Sequence, residues 1–319
     1  MFKKLTLLIV MVFSILVWTS CSSKDNTQTA IGGERELLLL EKETTAVTVY
    51  YATLDEKYLV PLTFSVNATR EAAKVALEKL LAGAPNDFVK SPLSADTKLK
   101  DVYAQGEIVF VDLTKEFSQI NEEYARLASA ALAATVLPLL ENSQMQLLLN
   151  GKPYQDVGSV KLSEPIKEGP INPVSPIGED QPYIVYYFGD QQAQYMVPQS
   201  APVNKDDAEY KAEQTVKAIL KGPKSDSNLY SSINKKTKLL ALQVSNGIVT
   251  LDFSADLLDY SGSSAEENVL VKSLLYSLTS IEGIDAVQIL IEGQIKEYLP
   301  AGTDISTPLK AVEKINVVA

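Results

Sequence analysis

The side chains available for chemistry in this sequence are carboxylates, tyrosines and one cysteine, because its 319 residues include no histidine. The lack of histidine excludes Ser-His-Asp and Cys-His nucleophile systems, imidazole acid–base catalysis and His-containing metal sites. The single cysteine, Cys21, excludes an intrachain disulfide and a cysteine-rich zinc site. Two carboxylate pairs remain, Asp112 with Glu116 and Asp252 with Asp256.

Each carboxylate pair could act as acid and base on a glycosidic bond or hold Ca²⁺. A calcium loop needs several acidic ligands in a short stretch, and the sequence has no Asp-x-Asp-x-Asp run. Asp112 and Asp252 lie at the end of a predicted strand, just before Thr114 and Ser254. At such turns, short polar side chains often bond to local backbone amides. We therefore predict a structural role for these four residues, and no catalytic, metal-binding or cofactor-binding residue or cofactor in the chain.

Tyrosines recur in pairs, as Tyr50-Tyr51 and Tyr186-Tyr187. Neighbours on a strand point to opposite faces, so we expect one tyrosine of each pair in the core and the other exposed. Exposed tyrosines suit a protein interface or a sugar platform. Ordinary strand propensity is the favoured explanation for such tyrosines.

The amino-terminal residues 1–20 are predicted to be a secretory signal peptide. Lys3 and Lys4 precede an apolar run from Leu5 to Trp18, which is too short to span a bilayer. Cys21 follows at the expected cleavage point, and this arrangement resembles the lipobox of bacterial lipoproteins, with Trp18 where that pattern has Leu. The resemblance implies a diacylglycerol and an acyl chain (palmitate) on Cys21, since two chains are needed for stable anchoring. A chance cysteine in an ordinary signal peptide is the alternative.

Residues 21–45 are predicted to be a tether, because their first part is small, polar and rich in Gly and Ser. The anchor would place the protein on the outer face of the cytoplasmic membrane. The net charge is −11 with a pI near 4.7, and no basic stretch offsets it. This charge makes nucleic acid an unsuitable partner.

The rest of the chain repeats itself. Val49-Tyr50-Tyr51 returns as Val185-Tyr186-Tyr187, and further matches follow in the same order at offsets that rise from 136 to 143. The repeat predicts two homologous domains, at 46–167 and 183–310. Between them, 168–182 contains four prolines and is predicted to be a stiff, helix-free linker. Residues 311–319 are expected to be a carboxy-terminal tail.

Within each repeat the patterns alternate as β-β-α-β-β-α-β. Asn246-Gly247, between two apolar alternations, is a strong hairpin signal. Gly83 and Gly222 stop the first helix of each repeat. The order predicts an α+β fold in which each domain is a mixed β-sheet with two helices packed on one face.

These motifs resemble the GerM domain family. The run Val111-Asp112-Leu113-Thr114-Lys115-Glu116-Phe117 is similar to its VDLS-x-EF signature, and the second repeat departs from it at Leu257, where the family has Phe. The resemblance covers essentially both repeats. It implies a fold like the ring-building modules of secretion systems and a sporulation or germination lipoprotein without enzymatic activity. It also implies association with the channel complex that links mother cell and forespore.

Two function classes follow. The first is a tethered, non-enzymatic interaction protein that assembles with envelope or sporulation-complex proteins, including self-association into a ring. The alternative is a cell-wall-binding module or a carboxylate-based peptidoglycan hydrolase, which would need one carboxylate pair to line a cleft.

Overall fold

The computed structural model describes residues 44–118, 121–140, 144–260, 262–311 and 314–318. The predicted signal peptide, Cys21 and nearly all of the predicted tether lie outside these residues. Both repeats belong to one compact unit, Lys42–Ala319. We call residues 44–167 module 1 and residues 183–310 module 2.

Module 1 follows the predicted order of elements, with two short strands added at its end. Its elements are β1 Thr44–Ala52, β2 Leu59–Asn67, α1 Ala72–Leu81, β3 Leu99–Gln105, β4 Ile108–Leu113, α2 Glu122–Leu140, β5 Gln144–Leu149, β6 Lys152–Pro153 and β7 Ile166–Lys167. By length and composition α2 is apolar enough to cross a bilayer. Ten of its residues are buried, which identifies it as a core helix of this module.

Module 2 repeats this plan, and the last strand lies beyond it. The elements are β8 Tyr183–Asp190, β9 Met196–Pro202, α3 Ala208–Lys221, β10 Leu229–Tyr230, β11 Leu239–Ser245, β12 Ile248–Phe253, α4 Ser264–Thr279, β13 Ala286–Ile291, β14 Leu309–Lys310 and β15 Val317–Val318. The predicted Asn246-Gly247 hairpin joins β11 to β12, and both turn residues have positive φ (52° and 75°), as a two-residue hairpin turn requires.

The main sheet of each module joins an antiparallel hairpin to a parallel strand, and short antiparallel strands extend it beyond β5 or β13. In module 1, β3 pairs antiparallel with β4, and β4 pairs parallel with β5 across α2. In module 2, β11, β12 and β13 are arranged in the same way across α4. Thus β3 and β11 are the edge strands of their sheets. The predicted α+β class with two homologous domains is confirmed.

The first hairpin of each module forms a separate sheet, which the sequence did not predict. β1 pairs with β2 and β8 pairs with β9, and each packs beside the helices of its own module. Helix hydroxyls accept hydrogen bonds from amides of β1 and β8. The Thr135 Oγ1 accepts from the Tyr50 N–H at 3.1 Å, and the Ser277 Oγ accepts from the Tyr187 N–H at 2.9 Å. The helix therefore protects an edge that would otherwise be open.

The carboxy-terminal residues are not a free tail, so that expectation is wrong. β15 pairs in parallel with β2 of module 1, with Val317 opposite Thr63 and Val318 opposite Phe64. On the side of β2 away from β1, this pairing satisfies backbone groups that would otherwise lack a strand partner.

Candidate functional site

The two aspartates singled out in the sequence bind backbone amides of a turn. The Asp112 Oδ1 accepts from the Gly151 N–H at 2.9 Å, and the Asp252 Oδ1 accepts from the Gly293 N–H at 2.8 Å. The sequence predicted bonds to local backbone amides. The two glycines instead follow the neighbouring strand, so these bonds join residues that are distant in sequence. A carboxylate on the central strand thereby fixes the turn that ends β5 or β13.

The other two carboxylates, Glu116 and Asp256, form hydrogen bonds with the hydroxyl group that directly follows β4 or β12. The Ser254 hydroxyl donates to Asp256 at 2.9 Å and accepts from the Lys238 N–H at 3.1 Å. In module 1 a hydrogen bond from Thr114 lowers the pKa of Glu116. The members of each pair therefore have different partners. Among the described residues, no group of three acidic or cysteine side chains could hold a metal ion.

The least expected arrangement is the junction between the modules, where β2 faces β9. Asn172, in the Pro-rich segment, contacts both strands. Its Oδ1 accepts from the Leu59 N–H at 2.8 Å, and its Nδ2 donates to the carbonyls of Leu59 and Pro198, both at 2.8 Å. The predicted linker segment is free of helix, but at its centre it joins the two modules instead of separating them.

Asn316 makes the same three bonds with the roles of the modules exchanged. Its Oδ1 accepts from the Met196 N–H, and its Nδ2 donates to the carbonyls of Met196 and Pro61, all at 2.8 Å. Met196 and Pro198 lie 137 residues after Leu59 and Pro61, so the two asparagines occupy equivalent places. The junction therefore has approximate twofold symmetry.

Apolar side chains continue the core across this junction. Tyr195 and Val197 of module 2 are buried within the hydrophobic core of module 1. The Tyr195 hydroxyl accepts from the Asn86 side chain at 2.7 Å, and its ring meets Phe88 edge-on with centroids 6.3 Å apart. Across the same junction, Asn228 of module 2 donates to Asp55 of module 1 at 2.8 Å. The two modules are packed as one body.

The tyrosine pairs are placed partly as expected. Tyr51 and Tyr186 are buried in the cores, but Tyr50 and Tyr187 are half-buried, so the expected exposure is wrong. Burial, and then the negative charge of Glu168, raises the pKa of Tyr50 to about 12. Burial, followed by Tyr50 and Tyr276, raises the pKa of Tyr187 well above its ordinary value. These hydroxyls stay protonated at neutral pH and are packed between elements.

Sequence reasoning missed several buried polar residues. Gln146 and Gln288, at equivalent positions, donate to the carbonyls of Leu162 and Ile305 at 3.2 and 3.0 Å. Glu267 is 2% exposed and accepts from the backbone of Ala301 and Thr303. The Ile-Asn pairs at 171–172 and 315–316 extend the repeat by one more match, and that match was the signal for the two asparagines.

The outward surfaces of the modules carry equivalent grooves. In module 2, a groove of about 680 Å³ lies between α3 and the edge strand β11, lined by Asp207, Glu209, Tyr210, Glu213 and Leu239–Leu242. In module 1, a groove of about 270 Å³ lies between α1 and the edge strand β3, and its lining includes Arg70, Lys74, Glu78 and Leu99–Ala104.

Comparisons with known proteins agree on one family. A family model described as "Germane: Sporulation and spore germination" matches residues 48–155 and 184–297. A spore germination protein, GerM of Bacillus subtilis (strain 168), is 24% identical in an alignment 284 residues long that covers 81% of this chain and 75% of that protein. The solved structure of the tandem GerMN domains of B. subtilis GerM superposes with a TM-score of 0.65 and 20% identity, over 87% of this chain and all of that one. That superposition supports the fold.

Proposed function

Because the chain belongs to the Germane family of sporulation and spore germination proteins, we propose that it is a non-enzymatic envelope lipoprotein. In this proposal Cys21 carries the lipid anchor on the outer face of the cytoplasmic membrane. The two modules assemble there with other envelope proteins during spore formation, at the channel complex between mother cell and forespore, or during germination.

The observation that carries this proposal is the family match over both modules. The arrangement of the polar side chains is in keeping with it. Asp112, Asp252 and the two junction asparagines are bonded to backbone groups, so they serve the architecture of the body. The grooves beside β3 and β11 lie on surfaces that the junction leaves free. A rigid body with repeated outward surfaces suits assembly.

Deletion of the gene in its own host tests the proposal. We expect fewer heat-resistant spores if the protein acts in the mother cell–forespore assembly, or normal spore numbers with slow germination if it acts in the mature spore. A spore-forming host whose mutant is normal in both measurements would contradict the proposal. Pelleting of the protein with purified peptidoglycan, or cleavage of it, would instead support the wall-directed function.

The anchor is tested separately in the complemented strain. Cys21→Ala should abolish palmitate labelling and move the protein from the membrane fraction to the medium. Cys21→Ser is a closer match in size and should behave in the same way, because neither side chain has a thiol to acylate. Retention of label by either variant would disprove lipidation at Cys21.

A further inference from the structure

The two modules carry opposite charges at equivalent sequence positions, which lie within α3 in module 2 and within or just before α1 in module 1. The buried residues of α1 (Ala73, Ala76, Leu77 and Leu80) recur 139 residues later in α3 as Ala212, Thr215, Val216 and Ile219, which fixes the alignment of the two helices. In this alignment Arg70, Lys74 and Glu78 correspond to Glu209, Glu213 and Lys217. The order of charges is plus, plus, minus in module 1 and minus, minus, plus in module 2.

These side chains lie on the free surface. Arg70, Lys74 and Glu78 are exposed and line the groove beside β3, and Glu209 and Glu213 line the groove beside β11. Within their own helices, Lys74 lies 3.7 Å from Glu71 and Glu213 lies 2.8 Å from Lys217. Such exposed pairs are weak and leave the charges able to interact with a partner.

The edge strands differ in a matching way. Each has a β-bulge at the same place, between Leu99 and Asp101 in β3 and between Leu239 and Ala241 in β11. The bulged residue is Lys100 in module 1, whereas in module 2 it is Leu240, which is 51% exposed. The groove of module 2 is therefore apolar and acidic, whereas the groove of module 1 has a mixed lining in which Arg70, Lys74 and Lys100 are the basic residues and Glu71, Glu78 and Asp101 the acidic ones.

From this complementarity we infer that the groove between α3 and β11 of one copy docks onto the groove between α1 and β3 of a second copy. The inference deepens the proposed assembly function and rests on it. If α1 of one copy lies parallel to α3 of the next, opposite charges meet at all three positions. In an antiparallel arrangement Arg70 would face Lys217 and Glu78 would face Glu209, so like charges would meet at two of the three.

The contact is heterologous, because it joins different modules of the two copies. In a pair, one copy keeps its α1–β3 groove free and the other keeps its α3–β11 groove free. Further copies can therefore be added through the same contact. Exposed charge pairs stabilise such a contact only modestly, and salt screens them. Anchoring all copies to one membrane raises their effective concentration and favours the contact.

The test reverses the three charges of one module. The reversal in module 2 keeps the Glu213–Lys217 pair, whereas the reversal in module 1 replaces the weak Lys74–Glu71 pair by two like charges. Variant A is R70E/K74E/E78K, which gives both modules the order minus, minus, plus. Variant B is E209R/E213K/K217E, which gives both modules the order plus, plus, minus. The protein used is the compact unit Lys42–Ala319, and circular dichroism and unfolding midpoints check that the exposed substitutions leave the fold intact.

Sedimentation velocity in low salt measures self-association. We expect the wild type to associate, each variant alone to associate about tenfold more weakly, and an equimolar mixture of A and B to regain association. All of these interactions should weaken in 0.5 M salt. A variant carrying all six reversals, with complementarity restored, should associate like the wild type.

The inference is overturned if the wild type remains monomeric at every concentration, or if the mixture associates no better than A or B alone. Spore counts separate this failure from that of the proposed function. A monomeric protein whose gene deletion still lowers heat-resistant spores leaves the assembly function with a different partner. If deletion changes neither spore numbers nor germination, the proposed function itself fails.

Discussion

At the residue scale, the junction depends on two asparagines in a conformation that few side chains tolerate. Asn172 and Asn316 have φ values of 50° and 47°, in the left-handed region where asparagine is one of the few tolerated residues other than glycine. Each amide group bonds one N–H and two carbonyls of facing strands. Removing one amide leaves three buried backbone groups without that partner, and each such group costs about 1–3 kcal/mol when it is left unsatisfied.

Asn172→Ala should therefore lower the free energy of unfolding by about 2–4 kcal/mol, measured from urea transitions. The matched control is Asn228→Ala. Asn228 also has positive φ (55°), but its side chain makes one exposed bond, to Asp55. Equal losses in the two variants would show that the left-handed backbone conformation, and not the three bonds of the Asn172 amide, accounts for the effect.

Glu267 gives module 2 a pH dependence. Burial alone would raise its pKa, but hydrogen bonds from Thr303, Tyr260 and the Ala301 amide lower it below the ordinary value of 4.5. The folded state therefore holds the ionised form more tightly than the unfolded state does. This stability is present above pH 4.5 and is lost as the pH falls through the lower, folded-state pKa.

Glu267→Gln keeps the size of the side chain and removes its charge. At pH 7 the variant should be less stable than the wild type by about 1–3 kcal/mol, because hydrogen bonds to a charged acceptor are lost. The difference should shrink as the pH is lowered from 4.5 to 3. Urea unfolding across this range measures it, and a difference that stays constant would rule out the charge as the cause.

At the element scale, the strand β15 completes the first module from the far end of the chain. The Thr63 N–H donates to the carbonyl of Asn316 at 3.1 Å, and β15 continues this pairing along β2. The partners of Asn316 include Pro61, which is 255 residues away in sequence. This strand therefore connects the two ends of the folded body.

Ending the chain after Lys314 should speed amide hydrogen exchange at Thr63, because its acceptor is removed. The Tyr187 amide in module 2, bonded to Ser277, should keep its protection and serves as the internal reference. Removal of Ala319 alone is the control truncation. Unchanged protection of Thr63 in the chain that ends after Lys314 would mean that β15 contributes nothing to β2.

The elements themselves could be predicted because their signals are local. The Asn246-Gly247 turn, the helix-ending Gly83 and Gly222, and the alternation of β11 and β12 each depend on a few neighbouring residues. The junction could not be predicted in the same way, since Asn172 and Leu59 are 113 residues apart. Composition indicates that the Pro-rich segment is extended, but does not show what its side chains contact. Asp112 and Asp252 bond to backbone amides, as the sequence predicted, but those amides belong to a turn about 40 residues further along the chain.

At the scale of the whole molecule, the two repeats should behave as one folding unit. Tyr195 and Val197 belong to module 2 in sequence and to the core of module 1 in space. Neither module can keep its packing while the other unfolds, because β2 and β9 share the same two asparagines.

Calorimetry of Lys42–Ala319 should therefore show a single transition whose calorimetric and van't Hoff enthalpies agree. Val197→Ala, which opens a cavity at a fully buried site, should lower the midpoint without splitting the peak. A comparison variant is Val317→Ala, at a side chain that is 60% exposed, and it should change the midpoint little. Two separate peaks in the wild type would contradict the shared core.

The position of Asn316 also has a consequence for biogenesis. A chain that is synthesised or exported from its amino end delivers module 1 well before Asn316, so β2 lacks these bonds until residues 316–318 arrive. A product interrupted before Asn316 would present an open strand edge on β2. Proteases that degrade loosely folded chains would remove such fragments, so the pairing of β15 would favour survival of the chains that contain both modules.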